Sequence, residues 1–364
     1  MKTSSHNKLK NITINLKSNI FGQDHAIDLI IDILKINSVG LGNRNKPIGS
    51  FLFTGPTGVG KTELAIQLAK NLEIDFKRFD MSEYSEKHSI KNFIGGDAGL
   101  VGYENGGLLV NYMIDNPYSI LLFDEIEKAD SKVLDIFLQI LDYGILTSTK
   151  GEIVDFSNTI IIFTSNLSNN HTKLKKTMGF ISNYVLEEDD SENNVNIYLR
   201  PEFRGRIDHI ISFNELSQNM IKLIIDKNIT ELENKLSSYN INIQLSTILK
   251  EHIVSIFLHN NLGARSIEKF FRDNINILIS NEIINNNIKN CSLLTICMIE
   301  ETKVIYIKNI TKKNEKKLES DSISFELNNN QWFNNAIEAQ EFAKNNPMIS
   351  ITRSPCGNGY IVKK

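Results

Sequence analysis

Cysteine is scarce. Cys291, Cys297 and Cys356 are the three in a chain of 364 residues. They are too few and too scattered for a disulfide framework or a zinc site, and they suit a reducing compartment such as the cytoplasm. The seven histidines show no metal-ligand spacing. No Ser–His–Asp arrangement is evident, so the chain is not expected to cleave peptides. No run approaches the roughly 20 apolar residues of a membrane span. The basic start, MKTSSHNKLKNITINLK, lacks the apolar core of a secretory signal. It has no acidic residue before Asp24, which leaves an organelle address open as an alternative to the cytoplasm. Neither sign of charge dominates: 40 Lys plus Arg face 43 Asp plus Glu, for a formal net charge of −3. Nothing electrostatic therefore draws the chain to nucleic acid or to an anionic membrane. No internal repeat or low-complexity tract is present.

What is there reads as three regions. From about 18 to 213, helical patterns alternate with short apolar strands: SFLFTG (50–55), DFKRFD (75–80), SILLFDE (119–125) and NTIIIFTSN (158–166). Continuous apolar strands separated by helices predict a parallel sheet covered on both faces. From 214 to 310 the pattern is mainly helical, with an amphipathic stretch over 217–237 and a second carrying Ile267, Phe270, Phe271 and Ile275. Two β-rich runs, SLLTICMI and KVIYIKNI, close this region. Residues 311–321, TKKNEKKLESD, are charged and read as a linker. The last piece, 322–364, predicts a small α+β appendage with a strand at SISFEL, a helix at NNAIEAQEFAK and a terminal hairpin turning near Asn358-Gly359. The fold class expected is thus α/β: a parallel-sheet nucleotide-binding domain, a smaller mainly helical domain and the appendage.

The chemistry starts at GPTGVGKTEL. Gly55 to Thr62 fit G-x-x-x-x-G-K-[ST], between an apolar strand and a helix with Leu64, Ala65, Leu68 and Leu72 at spacings of three and four. Glycines let the backbone curl with its N–H groups inward, and the helix adds the positive end of its dipole. Gly55, Pro56, Thr57, Gly58, Val59, Gly60, Lys61, Thr62 and Glu63 are the predicted phosphate cradle. Lys61 reaches the β- and γ-phosphates of ATP, and the Thr62 hydroxyl reaches Mg²⁺. Asp124, at the end of ILLFD, is placed to hold the Mg²⁺ shell, and Glu125 to orient and deprotonate an attacking water. Asn166 ends a third strand, where an amide either positions that water or serves ordinary turn chemistry.

These elements together resemble the AAA+ ATPases of the Clp unfoldase family, the nearest pattern being the second ATPase module of ClpA-type members. The segments that carry the resemblance run from about Leu16 to Asn290: IFGQDHAI, GLGNRNKPIGSFLFTGPTGVGKTEL, RFDMSEYSEKHSI, LLFDEIEKA, LRPEFRGRIDHII and LGARSIEKF. The resemblance implies that Ile20 and Phe21 lie against the adenine, and that Asn166 senses the γ-phosphate. It makes Arg206 a finger entering a neighbouring subunit's site, and Arg265 a sensor that closes on the γ-phosphate. A finger given in trans implies a ring of identical subunits, a hexamer.

The resemblance also assigns two loops. GLVGYENGG (99–107) matches the loop that grips an unfolded polypeptide in the central pore, with Leu100 where the family carries an aromatic, and with Val101 and Tyr103 beside it. Met178, Gly179 and Phe180 resemble the apolar-Gly-apolar tripeptide that docks on the ClpP peptidase ring, and exposed apolar side chains on a polar loop call for a partner. Gly205 stands where Asn is usual, which is expected to loosen the turn before the finger. The chain begins almost at the second module, as a single-ring protein or a fragment would. The expected function is an ATP-dependent protein unfoldase delivering substrates to a ClpP-type peptidase. The alternatives are a peptidase-independent disaggregase and a nucleotide-dependent scaffold.

Overall fold

The computed structural model describes residues 2–86, 89–96, 106–166, 199–239, 241–260, 263–285, 293–299, 302–310, 331–333, 350–353 and 360–363. The segments carrying His88, Leu100, Val101, Tyr103, Met178, Gly179, Phe180, the strand expected at SISFEL, the helix expected at NNAIEAQEFAK and the Asn358-Gly359 turn lie outside these residues.

Backbone contacts divide the chain into two units, residues 1–223 with 261–266, and residues 224–260 with 267–364. The first unit opens with α1 (Lys2–Asn19) and α2 (Asp24–Ser38), followed by β1 (Gly49–Thr54), α3 (Lys61–Leu72) and β2 (Asp75–Asp80). Then come α4 (Ile90–Ile94), α5 (Leu108–Asp115), β3 (Ser119–Asp124), α6 (Ser131–Tyr143) and the short hairpin of β4 (Ile145–Thr147) and β5 (Ile153–Asp155). It continues through β6 (Ile160–Thr164), α7 (Pro201–Arg204) and β7 (His209–Ser212). Five strands form one parallel sheet in the order β2-β3-β6-β1-β7.

Every residue of β1, β3 and β6 is buried, because helices cover both faces. Side chains alternate across a strand, and the alternation sorts the core into two layers. Leu52, Leu121, Phe123, Ile161 and Phe163 pack with Phe93, Met113, Phe137 and Phe203 on one face. Phe51, Phe53, Ile120, Leu122, Ile160 and Ile162 pack with Leu16, Ile27, Ile30, Leu64 and Leu68 on the other. The basic N-terminal segment joins this second layer: Leu9, Ile12 and Leu16 of α1 are buried.

A second tie comes from Gln23, whose side chain is fully buried. Its amide Nε2 donates to the carbonyl of Asn214 at 2.9 Å, and its Oε1 accepts from the Asn214 N–H at 3.0 Å. The Ile20–Gln23 loop is thereby pinned to the exit of β7.

The second unit takes in most of α8 (Gln218–Lys235), then β8 (Asn242–Leu245), α9 (Thr247–His259) and the greater part of α10 (Ala264–Phe270). A turn of π-helix over Phe271–Asn276 leads into α11 (Ile277–Ile284), followed by β9 (Leu293–Met298) and β10 (Ile305–Ile310). The two expected β runs form β9 and β10, paired antiparallel, and β8 adds to β9 in parallel. β8 was not legible as a strand: its NIQL alternates polar and apolar over only four residues, too short to separate from a loop. At the C-terminus β11 (Gln331–Phe333), β12 (Ser350–Arg353) and β13 (Tyr360–Lys363) form an antiparallel sheet in the order β11-β13-β12. The predicted terminal hairpin corresponds to the β12–β13 pair. Among the described residues no helix is long and apolar enough to cross a membrane.

Candidate functional site

In open α/β sheets, ligands bind beyond the carboxyl ends of the strands. Those ends carry the cradle after β1, the acids after β3 and Asn166 after β6. The cradle turns through left-handed backbone at Gly58 (φ 79°) and Gly60 (φ 106°), which suits residues without a Cβ. At Gly58 space also forbids a side chain: a Cβ there would lie 2.7 Å from the Cα of Gly263. The N–H of Ala264 donates to the Gly58 carbonyl at 2.8 Å, and Arg265 Nη2 reaches the Thr62 hydroxyl at 3.4 Å. The GAR segment is therefore brought to the cradle.

Lys61 begins α3 and is 6% exposed. Its ammonium donates to the carbonyls of Gly55, Pro56 (3.1 Å) and Ser165 (3.0 Å) and to Asn166 Oδ1 (3.0 Å). Burial lowers its pKa from the ordinary 10.5 to about 8, against the opposing pull of Asp124 and Glu127. Asn166 is the pivot of this network. Its Oδ1 accepts from Lys61, its Nδ2 donates to Glu125 Oε1 at 2.9 Å, and its backbone N–H donates to Glu127 Oε1 at 3.1 Å. A network that uses both ends of the amide exceeds turn chemistry.

Asp124 and Glu125 are fixed by a residue the sequence reading missed. The Thr164 hydroxyl, on the neighbouring strand β6, donates to Asp124 Oδ1 and accepts from the Glu125 N–H at 3.1 Å. Glu125 itself adopts left-handed φ 58°, ψ 52°. Its second oxygen, Oε2, pairs with Lys128. Arg78 on β2 pairs with Asp124 Oδ2 at 2.7 Å. Arg78, Lys128 and Thr164 lie within or beside the segments quoted above, but sequence alone assigned them no role, because each acts through a partner distant in sequence or one turn away.

The remaining expected residues fall as follows. Ile20 is buried and Phe21 half-buried in the loop that Gln23 pins. Within the cradle Val59 is buried, Pro56 and Thr62 are half-buried and Thr57 is exposed. Glu63, in the first turn of α3, accepts from Gln67 at 2.9 Å. Arg206 stands apart from this cluster, held by Asp142 and, at 3.6 Å, by Glu202 of the same chain. The Asp142 carboxylate raises its pKa further. Gly205 has φ −65° and ψ −10°, a helical conformation open to any residue, and its N–H donates to the Pro201 carbonyl at 2.9 Å. The turn before Arg206 is thus a closed helical one rather than the loosened one expected. The start of β7 is clamped as well: Asp208 Oδ2 accepts from both the Ser50 N–H (2.8 Å) and hydroxyl (2.7 Å).

The donor set fits a magnesium nucleotide. The Thr62 hydroxyl and the buried Asp124 carboxylate are hard oxygen donors of the kind Mg²⁺ takes with phosphate oxygens. Left-handed glycines at the head of a twelve-residue helix form a cradle that a Cβ would distort.

The family model for the AAA domain (Cdc48 subfamily) matches residues 46–210, and that for the C-terminal, D2-small domain of ClpB protein matches residues 216–296. The chaperone protein ClpB of Clostridium perfringens is 42% identical over 299 residues, covering 80% of this chain and 34% of the relative. The ATP-dependent Clp protease ATP-binding subunit ClpE of Lactococcus lactis is 40% identical over 278 residues, covering 76% of this chain and 37% of the relative. For the ClpB of Mycoplasma genitalium the figures are 40% over 291 residues, 79% and 39%. The chain spans little more than a third of the length of these curated relatives.

Proposed function

The chain belongs to the AAA+ ATPases of the Clp family and carries their ATP-hydrolysing module, and from that premise we propose that it is an ATP-driven protein unfoldase. The observation that carries the reading is the continuous hydrogen-bonded path Lys61–Asn166–Glu125 beside the Asp124–Thr164 pair. It joins a phosphate-binding ammonium to a carboxylate able to take a proton from water.

In this reading residues 18–213 form the large ATPase domain and 214–310 the small one. Ile20 and Phe21 receive the adenine, and the Gly55–Glu63 cradle receives the phosphates. Thr62 and Asp124 hold Mg²⁺, which when bound offsets phosphate charge and polarises the γ-phosphoryl group. Glu125 deprotonates the attacking water, and Asn166 holds the base in place. Arg265 answers to the γ-phosphate. Arg206 leaves Asp142 to serve the neighbouring copy in a hexameric ring, and Leu100, Val101 and Tyr103 move a threaded polypeptide.

Two destinations for that polypeptide are supported by different observations. Met178, Gly179 and Phe180 favour delivery to a ClpP-type peptidase, and the ClpE relative is named as the ATP-binding subunit of an ATP-dependent Clp protease. The ClpB relatives and the matching small-domain model favour remodelling without a peptidase. The test is unfolding of a tagged fluorescent substrate with ATP, with and without ClpP. ATP-dependent loss of fluorescence is expected. Degradation that vanishes in Met178→Ala/Phe180→Ala, with unfolding kept, assigns the first destination. Unfolding that ClpP never converts to degradation assigns the second. Turnover of ATP without unfolding defeats the proposal.

Nucleotide affinity should fall as pH rises above about 8, where the Lys61 ammonium loses its proton in the free protein. The limiting slope is about tenfold per pH unit. Stability of the nucleotide-free chain should move the other way. Because the folded pKa lies below the unfolded one, the unfolded chain binds more protons between about 8 and 10.5, and stability rises through that window. Calorimetric titration with ADP at pH 7 to 9.5, alongside thermal melts, reads both signs.

A further inference from the structure

The sheet register sets Asp80 on β2 directly beside Asp124 on β3. Two carboxylates side by side repel unless a cation serves them. Arg78 does so. Its Nη2 lies 2.7 Å from Asp124 Oδ2 and 3.8 Å from Asp80 Oδ2. The other oxygen of each acid is already committed. Asp124 Oδ1 accepts from Thr164, whose hydroxyl is fixed in turn by the Glu125 N–H. Asp80 Oδ1 accepts from the Ser82 hydroxyl at 2.6 Å and the Ser82 N–H at 3.0 Å. The exchangeable position on Asp124 is therefore Oδ2, and Arg78, with 43% of its side chain exposed on a long flexible stem, is the group able to leave it.

We infer that Arg78 is a built-in counter-ion that a divalent cation displaces from Asp124, and that Asp80 is the seat to which its guanidinium moves. Arg78 is then a positioning residue that sets how much Mg²⁺ the site requires. This rests on the reading of Asp124 as the magnesium-holding acid. The physics gives two variants opposite signs. Removing the guanidinium frees Oδ2 and favours the cation. Neutralising Asp80 removes the alternative seat, so that Arg78 stays on Asp124 and opposes the cation. A merely structural role for either residue would loosen the site in both cases.

The experiment is a titration of Mn²⁺ into the 364-residue chain with saturating ADP, free ion being read by electron paramagnetic resonance and folding by thermal melt. Relative to wild type, Arg78→Gln is expected to tighten Mn²⁺ about two- to fivefold, the range of a partly exposed ion pair. Asp80→Asn, which keeps the Oδ1 acceptor for Ser82, is expected to weaken it about threefold. Arg78→Lys, which restores the charge, should return close to wild type. Arg78→Gln binding Mn²⁺ equally or more weakly overturns the inference, as does Asp80→Asn binding it more tightly. Asp124→Asn separates this failure from the deeper one. If Asp124→Asn binds Mn²⁺·ADP as wild type does, or wild type takes up none, the magnesium reading of Asp124 fails and the inference with it.

Discussion

Arg206→Ala is expected to lower ATP turnover by about 10³–10⁵-fold, the range over which an arginine finger stabilises transition-state charge. Nucleotide affinity should hardly change, because Arg206 makes no contact with the cradle of its own subunit. Folding should survive. The ion pair that Arg206 forms with Asp142 is about one-third exposed on both sides, 32% and 27%, and such solvent-screened pairs contribute little to stability. The decisive measurement is mixing. Arg206→Ala subunits keep an intact cradle and base, whereas Glu125→Gln subunits keep an intact finger. Mixed particles should therefore recover turnover that neither variant shows alone, at every junction where a Glu125→Gln finger enters an Arg206→Ala site. If Arg206 acts only within its own chain, mixing restores nothing.

The second large effect is expected at Glu125. Glu125→Gln should lower turnover by about 10²–10⁴-fold, the usual contribution of a positioned general base, while ATP stays bound. The amide oxygen can still accept from Asn166 at the position of Oε1, while the amide NH₂, a donor, gives up the exposed pairing with Lys128; the Lys61–Asn166 link is kept, so the loss reports proton transfer and not collapse of the network. A filter-binding assay with ATP beside a phosphate-release assay separates the two. Unchanged release would remove Glu125 from the mechanism. Equal loss of binding and release would make it a structural residue of the cradle.

The parts of this molecule that were legible in the sequence are those in which local pattern and global role coincide. The β1 and β3 strands are continuous apolar runs because both faces of the sheet are covered, and the cradle is a contiguous motif because one turn of backbone wraps one phosphate chain. The hydroxyl of Thr164 and the guanidinium of Arg78 were invisible for the opposite reason. Each reaches its acid across adjacent strands whose neighbourhood only the sheet order β2-β3-β6-β1-β7 defines. The hairpin of β4 and β5 was missed because three residues per strand carry too little periodicity. The expectation for Gly205 failed because the residue type was read as flexibility, whereas the neighbouring Pro201 and Phe203 carbonyls close a helical turn around it.

Glu125 sits in a left-handed backbone conformation that disfavours a residue with a Cβ by about 1–2 kcal/mol. Asparagine would adopt that geometry more comfortably, so mutational drift toward a sturdier fold at this position would also delete the proposed base. The enzyme's durability and its turnover therefore pull against each other at a single residue. A screen that selects only for heat resistance should enrich inactive chains there.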